Sequence, residues 1–243
     1  MGIDSEQMAL AARPIPSVKP VPLDDWLRVT PDYNVQLSEK AHLIETRRDT
    51  VLLRLPGSDA AEAEFGETLI DALSARADFA VTDHTVTRPD GQAVRRDGRA
   101  GLELAGALIQ EDICLLEKRG DEHVLTAALL AFPASWSLAE KIGRPLSSIH
   151  DPVAAYDAGI AMRVQRMFDG LAPGRVLARA NLLTYADPAL HQPRTEAARR
   201  KDAPETRRYF RSERQCLRKL PGTGAVVFTI LTSVAPMKTE GLS

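Results

Sequence analysis

The stretch RRYFRSERQCLRKLPGTGAVVFTILTSV, residues 207–234, decides the fold. Its two halves, Arg207 to Leu220 and Ala225 to Val234, flank a turn sequence of proline and glycine, and this pattern predicts a long β-hairpin. Alternation along the first half divides its side chains between two faces of a sheet. One face carries Tyr209, Arg211, Glu213 and Gln215, and the other carries Phe210, Ser212, Arg214, Cys216 and Arg218. Charges on both faces are unusual for a strand, so two interpretations stay open: a solvated edge strand with ion pairs, or a strand that lines a binding site.

Segments outside this hairpin predict that the sheet continues. Val176 to Tyr185 is typical of a strand, and the runs Asp112 to Lys118 and Val124 to Phe132 predict a second hairpin. Apolar spacing and capping residues predict helices at Asn34 to Arg48, Asp59 to about Ala77, Leu138 to Ile142, and Asp151 to about Leu171. The last of these is expected to be the long helix of the fold.

The order of these elements indicates an α+β fold, in which helices come first and an antiparallel sheet is interrupted by one long helix. The helices are expected to cover one side of the sheet. Residues 1–20 contain three prolines and no apolar period, which predicts a mobile tail, and residues 21–243 are expected to form a single domain. The charged, proline-rich segment Asp187 to Glu205 predicts an exposed, mobile loop.

Composition narrows the class of protein. The chain has 243 residues, 44% of them hydrophobic, and a formal net charge of −2. This charge balance favours neither a nucleic-acid partner nor an acidic membrane surface, and no apolar run reaches the length of a membrane span. Two cysteines, Cys114 and Cys216, form no metal-binding motif and are expected to be buried free thiols. We therefore expect a cytoplasmic protein.

One histidine stands out from the other four. His150 precedes Asp151, a favourable N-cap residue, and Pro152, which suits the first position of a helix. The helix dipole disfavours a protonated imidazole there, and a neutral imidazole is what a metal or a heme iron binds. The alternative is a histidine that merely closes the helix end.

The remaining histidines are expected to be poor ligands. His42 and His84 are predicted to be solvated, His123 to sit at a hairpin tip, and His191 to lie exposed in a mobile loop.

Several ordered blocks together resemble a known family. They are Glu111-Asp112, Ala131 to Trp136, Glu140 to Gly143, Ile149 to Val153, Arg179-Ala180-Asn181, Ser212 to Pro221, and Val227 to Ile230. This order is similar to that of the heme-dependent oxidative N-demethylase family, whose members of known activity resemble the heme subunit of dimethylamine monooxygenase. The resemblance implies a PAS-like sheet that holds heme b, with His150 as the iron ligand. It also implies partner subunits: a reductase carrying flavin and an iron–sulfur cluster, and a folate-binding subunit that handles formaldehyde. Leu182 departs from the family, which usually has an aromatic residue there.

The resemblance suggests roles for several polar residues. Arg211 or Arg214 would bind a heme propionate, because a guanidinium matches a carboxylate with two hydrogen bonds. Glu213 would hold a cationic amine or relay a proton. Arg179 and Asn181 share a strand face and would bind a propionate or a distal ligand, although a structural hydrogen bond is an equal alternative.

Lys141, beside Glu140, is expected to form a surface ion pair of little energetic weight, or, by the resemblance, a charge pair near the cofactor.

Three functions follow as expectations. The first is a heme-dependent monooxygenase that uses O₂ to demethylate a small secondary amine such as dimethylamine and releases formaldehyde. The second is a non-enzymatic heme- or ligand-binding PAS-like module. The third is a heme-free degenerate subunit that serves in assembly, suggested by the short segment after Met237.

Overall fold

The computed structural model describes residues 3–13, 17–150, 158–198 and 203–237. Its described α-helices are α1 (Ser5–Ala11), α2 (Tyr33–Thr46), α3 (Arg48–Val51), α4 (Asp59–Ser74), α5 (Gly101–Leu108), α6 (Leu138–Lys141), α7 (Leu146–His150) and α8 (Ala158–Gly170). Short 3₁₀ helices occupy Leu23–Asp25, Glu196–Ala198 and Pro204–Thr206.

The strands form two antiparallel sheets. They are β1 (Lys19–Val21), β2 (Leu52–Arg54), β3 (Ala80–Val81), β4 (Thr85–Thr87), β5 (Ala93–Arg95), β6 (Asp112–Arg119), β7 (Glu122–Leu129), β8 (Val176–Tyr185), β9 (Tyr209–Lys219) and β10 (Val226–Pro236). The large sheet has the order β1-β8-β9-β10-β6-β7-β2, and the small sheet has the order β3-β4-β5. The predicted α+β class and both predicted hairpins of the large sheet are confirmed.

Helices pack on both faces of the large sheet rather than on one. The back face, which carries Ala178, Cys216 and Val227, forms the main core with α2, α4 and α5. The front face, which carries Leu177, Leu217 and Phe228, forms a smaller core with α6, α7 and α8. The expectation of one covered side is wrong because α6–α8, inserted between β7 and β8, bring their own apolar side chains to the second face.

Two contacts on the back face fix how α4 sits against its neighbours. Gly101 begins α5 where that helix meets α4, and a Cβ atom there would lie 2.4 Å from the Glu62 carbonyl oxygen, so only glycine fits. At the turn of the long hairpin, the Glu64 carboxylate accepts hydrogen bonds from the Gly222 and Thr223 backbone N–H groups, at 2.5 and 2.7 Å. The turn that the sequence predicts is therefore fixed to α4.

The segment predicted to be a mobile tail contains a short helix. Residues Ser5–Ala11 form α1, capped by the Asp4 carboxylate, which accepts from the Gln7 N–H at 2.7 Å. Leu10 is buried in the main core. A single apolar residue is enough to dock one short helix, and seven residues are too few to show a periodic pattern.

The inner side of α2 carries polar as well as apolar residues. Val35 is 61% exposed, whereas Gln36 and Lys40 are buried. The Lys40 ammonium donates to the carbonyl oxygens of Gln110 and Glu111 at 2.8 and 2.7 Å. Polar residues face inward here because the chain between α5 and β6 presents backbone carbonyls to α2.

The long helix is described from Ala158 to Gly170, and α7 before it was not predicted. The predicted helix start at Asp151 and Pro152 lies outside the described residues. None of the described helices is both long enough and apolar enough to cross a membrane.

Candidate functional site

Strand β9 is central in the large sheet, between β8 and β10. The predicted alternation of its side chains is confirmed: Leu217 joins the front core and Cys216 the back core. Arg211, Glu213 and Arg214 are all at most 5% exposed. The interpretation of β9 as a solvated edge strand is therefore wrong, and its charged side chains need buried partners.

A polar cluster surrounds Glu213 on the front face. Asn181 lies opposite Glu213 in the β8–β9 register. The Asn181 amide nitrogen donates to the Glu213 carboxylate at 2.8 Å, and the Asn181 amide oxygen accepts from the Glu213 backbone N–H at 2.9 Å. Gln215 donates a further, longer hydrogen bond of 3.3 Å to the same carboxylate oxygen. These contacts hold the Glu213 carboxylate in a fixed orientation on the front face of the sheet.

Arg179 lies on the same face, one alternation before Asn181. Its guanidinium is half-buried and makes no hydrogen bond or ion pair with any residue that the structure describes. Burial lowers the pKa of Arg179, and the Glu213 carboxylate offsets this only in part. A half-buried cation without a partner is costly, so this position favours an anionic ligand.

Two further polar atoms near Glu213 are buried without hydrogen-bond partners in the described structure: the Thr232 hydroxyl oxygen and Arg211 Nε. Thr232 is opposite Glu213 in the β9–β10 register. The Arg211 Nε lies 3.8 Å from the Glu213 carboxylate, too far for a hydrogen bond. Unused donors and acceptors at one spot are what a ligand or water requires.

Arg211 closes one end of the front face. Its guanidinium donates to the carbonyl oxygens of Phe132 at 2.7 Å and Leu190 at 3.0 Å. The Phe132 N–H in turn donates to the Asp112 carboxylate at 2.7 Å, and Asp112 lies 3.3 Å from the Lys40 ammonium. Arg211 therefore holds the loops around Phe132 and Leu190, and two of its nitrogens are committed to this structural role.

Arg214 is not brought together with the other predicted site residues. It lies on the back face, where its guanidinium donates to the Asp25 carboxylate at 2.8 Å and to the Asp25 carbonyl oxygen at 2.8 Å. Burial opposes ionisation of Asp25, but Arg28 and Arg214 outweigh it and hold the pKa of that carboxyl below its ordinary value. Arg214 thus anchors the N-terminal part of the chain.

The other end of the front face is apolar. Phe168 of α8, Leu171 directly after α8 and Leu146 of α7 pack there against Leu177 and Leu217. His150 is the last residue of α7, and its side chain lies outside the described residues. The front face of the sheet therefore carries four polar residues, Arg179, Asn181, Glu213 and Thr232, next to the apolar side chains of α7 and α8.

These residues fit a flat cofactor that carries carboxylates. The apolar side chains suit a macrocycle, and the unpaired Arg179 suits an acid group. Among the described residues, no group of three or more His, Cys, Asp or Glu side chains is arranged to hold a metal ion. A heme iron needs only one protein ligand, so the fit depends on the flanking residues rather than on such a cluster.

Two of the other histidines are placed differently from expectation. His123 is 1% exposed, its Nδ1 accepts a 2.8 Å hydrogen bond from the Gln165 side-chain amide, and its ring lies tilted against Phe168 with 5.2 Å between the ring centroids. His191 is half-buried and lies 2.7 Å from the Ala131 carbonyl oxygen. His123 lies at the tip of the β6–β7 hairpin as predicted, but it is buried there by α8. The predicted exposure of His191 is wrong, because the Ala131 carbonyl group comes from a distant segment. His42 and His84 are exposed, as predicted.

Sequence reasoning missed the contribution of Thr232 and underestimated Lys141. Thr232 sits in an apolar run with no distinguishing neighbour, and only its register with Glu213 reveals it. Lys141 is 4% exposed and pairs with Glu196 rather than lying on the surface. The apolar residues around Lys141, Leu138 and Ile142, were the available signal that it is buried.

Comparison with known proteins agrees with this geometry. The family described as haem-dependent oxidative N-demethylase, alpha subunit-like, matches residues 17–240. The chain belongs to this family. The N-demethylase family name supports an oxidoreductase that depends on heme and works as one subunit of a multi-component oxygenase. No curated protein matches the chain.

Proposed function

We propose that this N-demethylase family member is the heme-dependent oxygenase subunit that oxidatively demethylates a small secondary amine such as dimethylamine. The observation that carries the proposal is that one buried sheet face holds both a guanidinium without a hydrogen-bond partner in the described structure (Arg179) and a carboxylate in a fixed orientation (Glu213). The first suits the acid groups of a heme, and the second suits a cationic substrate.

On the cofactor side, Arg179 would hold a propionate and His150 would bind the iron. Heme, when bound, supplies the oxygen activation that demethylation requires. The arrangement of strands supports a PAS-like sheet. When the five strands β6 to β10 are numbered along the chain, their spatial order β7-β6-β10-β9-β8 is 2-1-5-4-3, the order of a PAS sheet.

On the substrate side, Glu213 would pair with the ammonium form of the amine. Asn181 and Gln215 hold the carboxylate, so that little freedom is lost when the substrate binds. The same carboxylate can accept the proton of the ammonium group. The Thr232 hydroxyl group, which has no hydrogen-bond partner in the described part of the chain, can bind a water molecule that takes up this proton. The apolar residues of α7 and α8 would limit the access of bulk water to the site.

The overall reaction consumes the amine, O₂, two electrons and two protons, and it yields the demethylated amine, formaldehyde and water. The electrons would come from a separate reductase with flavin and an iron–sulfur cluster, and a folate-binding subunit would take up the formaldehyde. A cytoplasmic location belongs to the same proposal, supported by the two buried free cysteines.

The experiment is a turnover assay with heme-loaded protein, the reductase, NADPH and dimethylamine. We expect formaldehyde in step with the amine consumed. A heme spectrum without formaldehyde would instead favour a non-enzymatic heme-binding module.

Glu213→Gln tests the substrate role within the same assay. We expect it to raise the KM for the amine by about 10-fold to 150-fold, the value of one lost charge-assisted hydrogen bond. The matched control is Glu117→Gln, a half-buried glutamate on the back face of β6, which should leave KM unchanged. Equal KM values for Glu213→Gln and the wild type would remove Glu213 from substrate binding.

A further inference from the structure

Lys141 is a buried cation close to the end of α7. Its side chain is 6% exposed, and the ammonium donates to the Ile149 carbonyl oxygen at 2.8 Å and to the Glu196 carboxylate at 2.7 Å. These contacts differ from an ion pair on the surface of one helix. Ile149 lies near the end of the next helix, α7, and Glu196 lies in the loop 187–198.

The contact with Ile149 acts on His150 through the backbone. The carbonyl group of Ile149 and the N–H group of His150 belong to the same planar peptide unit. A hydrogen bond that fixes this carbonyl therefore fixes the plane from which the His150 side chain departs. A cation at the last carbonyls of a helix is also electrostatically favourable.

The contact with Glu196 ties the loop to the same point. The Glu196 carboxylate also lies 3.3 Å from Arg144, and the Glu196 backbone N–H donates to the Glu140 carboxylate at 3.0 Å. Burying a lysine is costly unless it is paired, and Glu196 supplies the counter-charge. The ion pair therefore requires the loop to lie against α6 and the residues that directly follow it.

We infer that Lys141 is a positioning residue, which sets the orientation of the proposed iron ligand His150 and couples it to the docking of the 187–198 loop. This inference rests on the proposed function, because it concerns how His150 meets the heme. The Lys141 ammonium thus joins the Ile149 carbonyl oxygen to the Glu196 carboxylate.

The test uses the full chain, loaded with heme, in three variants. Lys141→Met keeps the length of the side chain and removes the ammonium. Glu196→Gln removes the counter-charge that stabilises the buried Lys141 ammonium beside the Ile149 carbonyl group. Arg54→Met is the control, because it also breaks a largely buried ion pair, with Glu62, on the back face of the sheet.

Two measurements distinguish positioning from general destabilisation: the heme Kd by titration, and low-temperature electron paramagnetic resonance of the ferric form. We expect Lys141→Met to weaken heme binding by about 10-fold to 100-fold, as loss of the groups that orient a metal ligand commonly does, and to change the resonance positions. Arg54→Met should change neither, whatever it does to thermal stability.

The outcomes are separable. Wild-type protein that takes up no heme overturns the proposed function, and the inference falls with it. A wild-type spectrum with Lys141→Met indistinguishable from it, or with Arg54→Met equally affected, overturns the positioning role alone. Should Lys141→Met not fold, Glu196→Gln decides: a heme Kd no weaker than that of Arg54→Met overturns the inference.

Discussion

Replacement of Arg179 by methionine should separate stability from heme binding. The guanidinium is half-buried and has no hydrogen bond or ion pair within the described structure, and burial lowers its pKa. Removing it from the heme-free protein therefore removes a desolvated charge that Glu213 offsets only in part, and breaks no hydrogen bond with a described residue. We expect the free energy of unfolding to stay the same or to rise, by at most about 1 kcal/mol.

In the heme-loaded protein the same change should be unfavourable. A hydrogen bond to a charged group contributes about 1.5–3 kcal/mol, which corresponds to about 10-fold to 150-fold in Kd. The assays are urea denaturation of the heme-free protein and heme titration followed by absorbance. An unchanged or higher free energy of unfolding together with weaker heme binding would show that Arg179 contributes to ligand binding rather than to the stability of the fold.

Arg218 offers a matched control on the opposite face. Burial also lowers its pKa, but its guanidinium lies 4.5 Å from the Trp26 ring centroid. Arg218→Met should therefore cost about 0.5–2 kcal/mol of stability through the lost cation–π contact and leave heme binding unchanged. Loss of more than about 1 kcal/mol in Arg179→Met, together with an unchanged heme Kd, would refute the reasoning.

Three further outcomes are expected. Arg214→Met should lower the free energy of unfolding by about 1–3 kcal/mol in urea denaturation, because it removes the buried hydrogen bonds from Arg214 to the Asp25 carbonyl and carboxylate oxygens, while heme affinity stays unchanged; a weaker heme Kd would return Arg214 to the site. Burial lowers the pKa of His123 from 6.5, so the folded protein binds fewer protons than the unfolded chain as the pH falls below that value. The contribution of the neutral His123 to stability should be fully present above pH 6.5 and should decrease as the pH falls. His123→Gln should flatten this pH dependence of thermal unfolding. Burial raises the pKa of Cys216 to about 12 and that of Cys114 further; a thiol reagent at pH 8 should modify neither in the native protein and both in urea, and fast native labelling would show that the sheet opens.

The sequence was informative where local periodicity decides the structure. The division of β9 into two faces follows from alternation alone, and it correctly placed Glu213 apart from Arg214. The strand's central position could not be predicted, because it depends on β8 and β10 pairing on either side. Residue type alone therefore suggested a propionate role equally for Arg211 and Arg214, and only their buried partners distinguish them.

Side chains with distant partners explain the other differences. Lys40, His123 and Lys141 are polar residues in ordinary surroundings, and each is buried because a carbonyl, amide or carboxylate group from elsewhere in the chain reaches it. Burial of a charge depends on such partners, and nothing in the local sequence records them. Arg179 is the converse case: its lack of a partner is visible only once the fold is known.

The absorbance spectrum of heme-loaded protein, compared between the wild type and His150→Ala, tests the central claim most directly. The account predicts a Soret band in the wild type and its loss in His150→Ala, with circular dichroism near native. His191→Ala should keep the band, because His191 is engaged with the Ala131 carbonyl. An unchanged heme spectrum in His150→Ala would contradict the account and would assign the iron to another ligand.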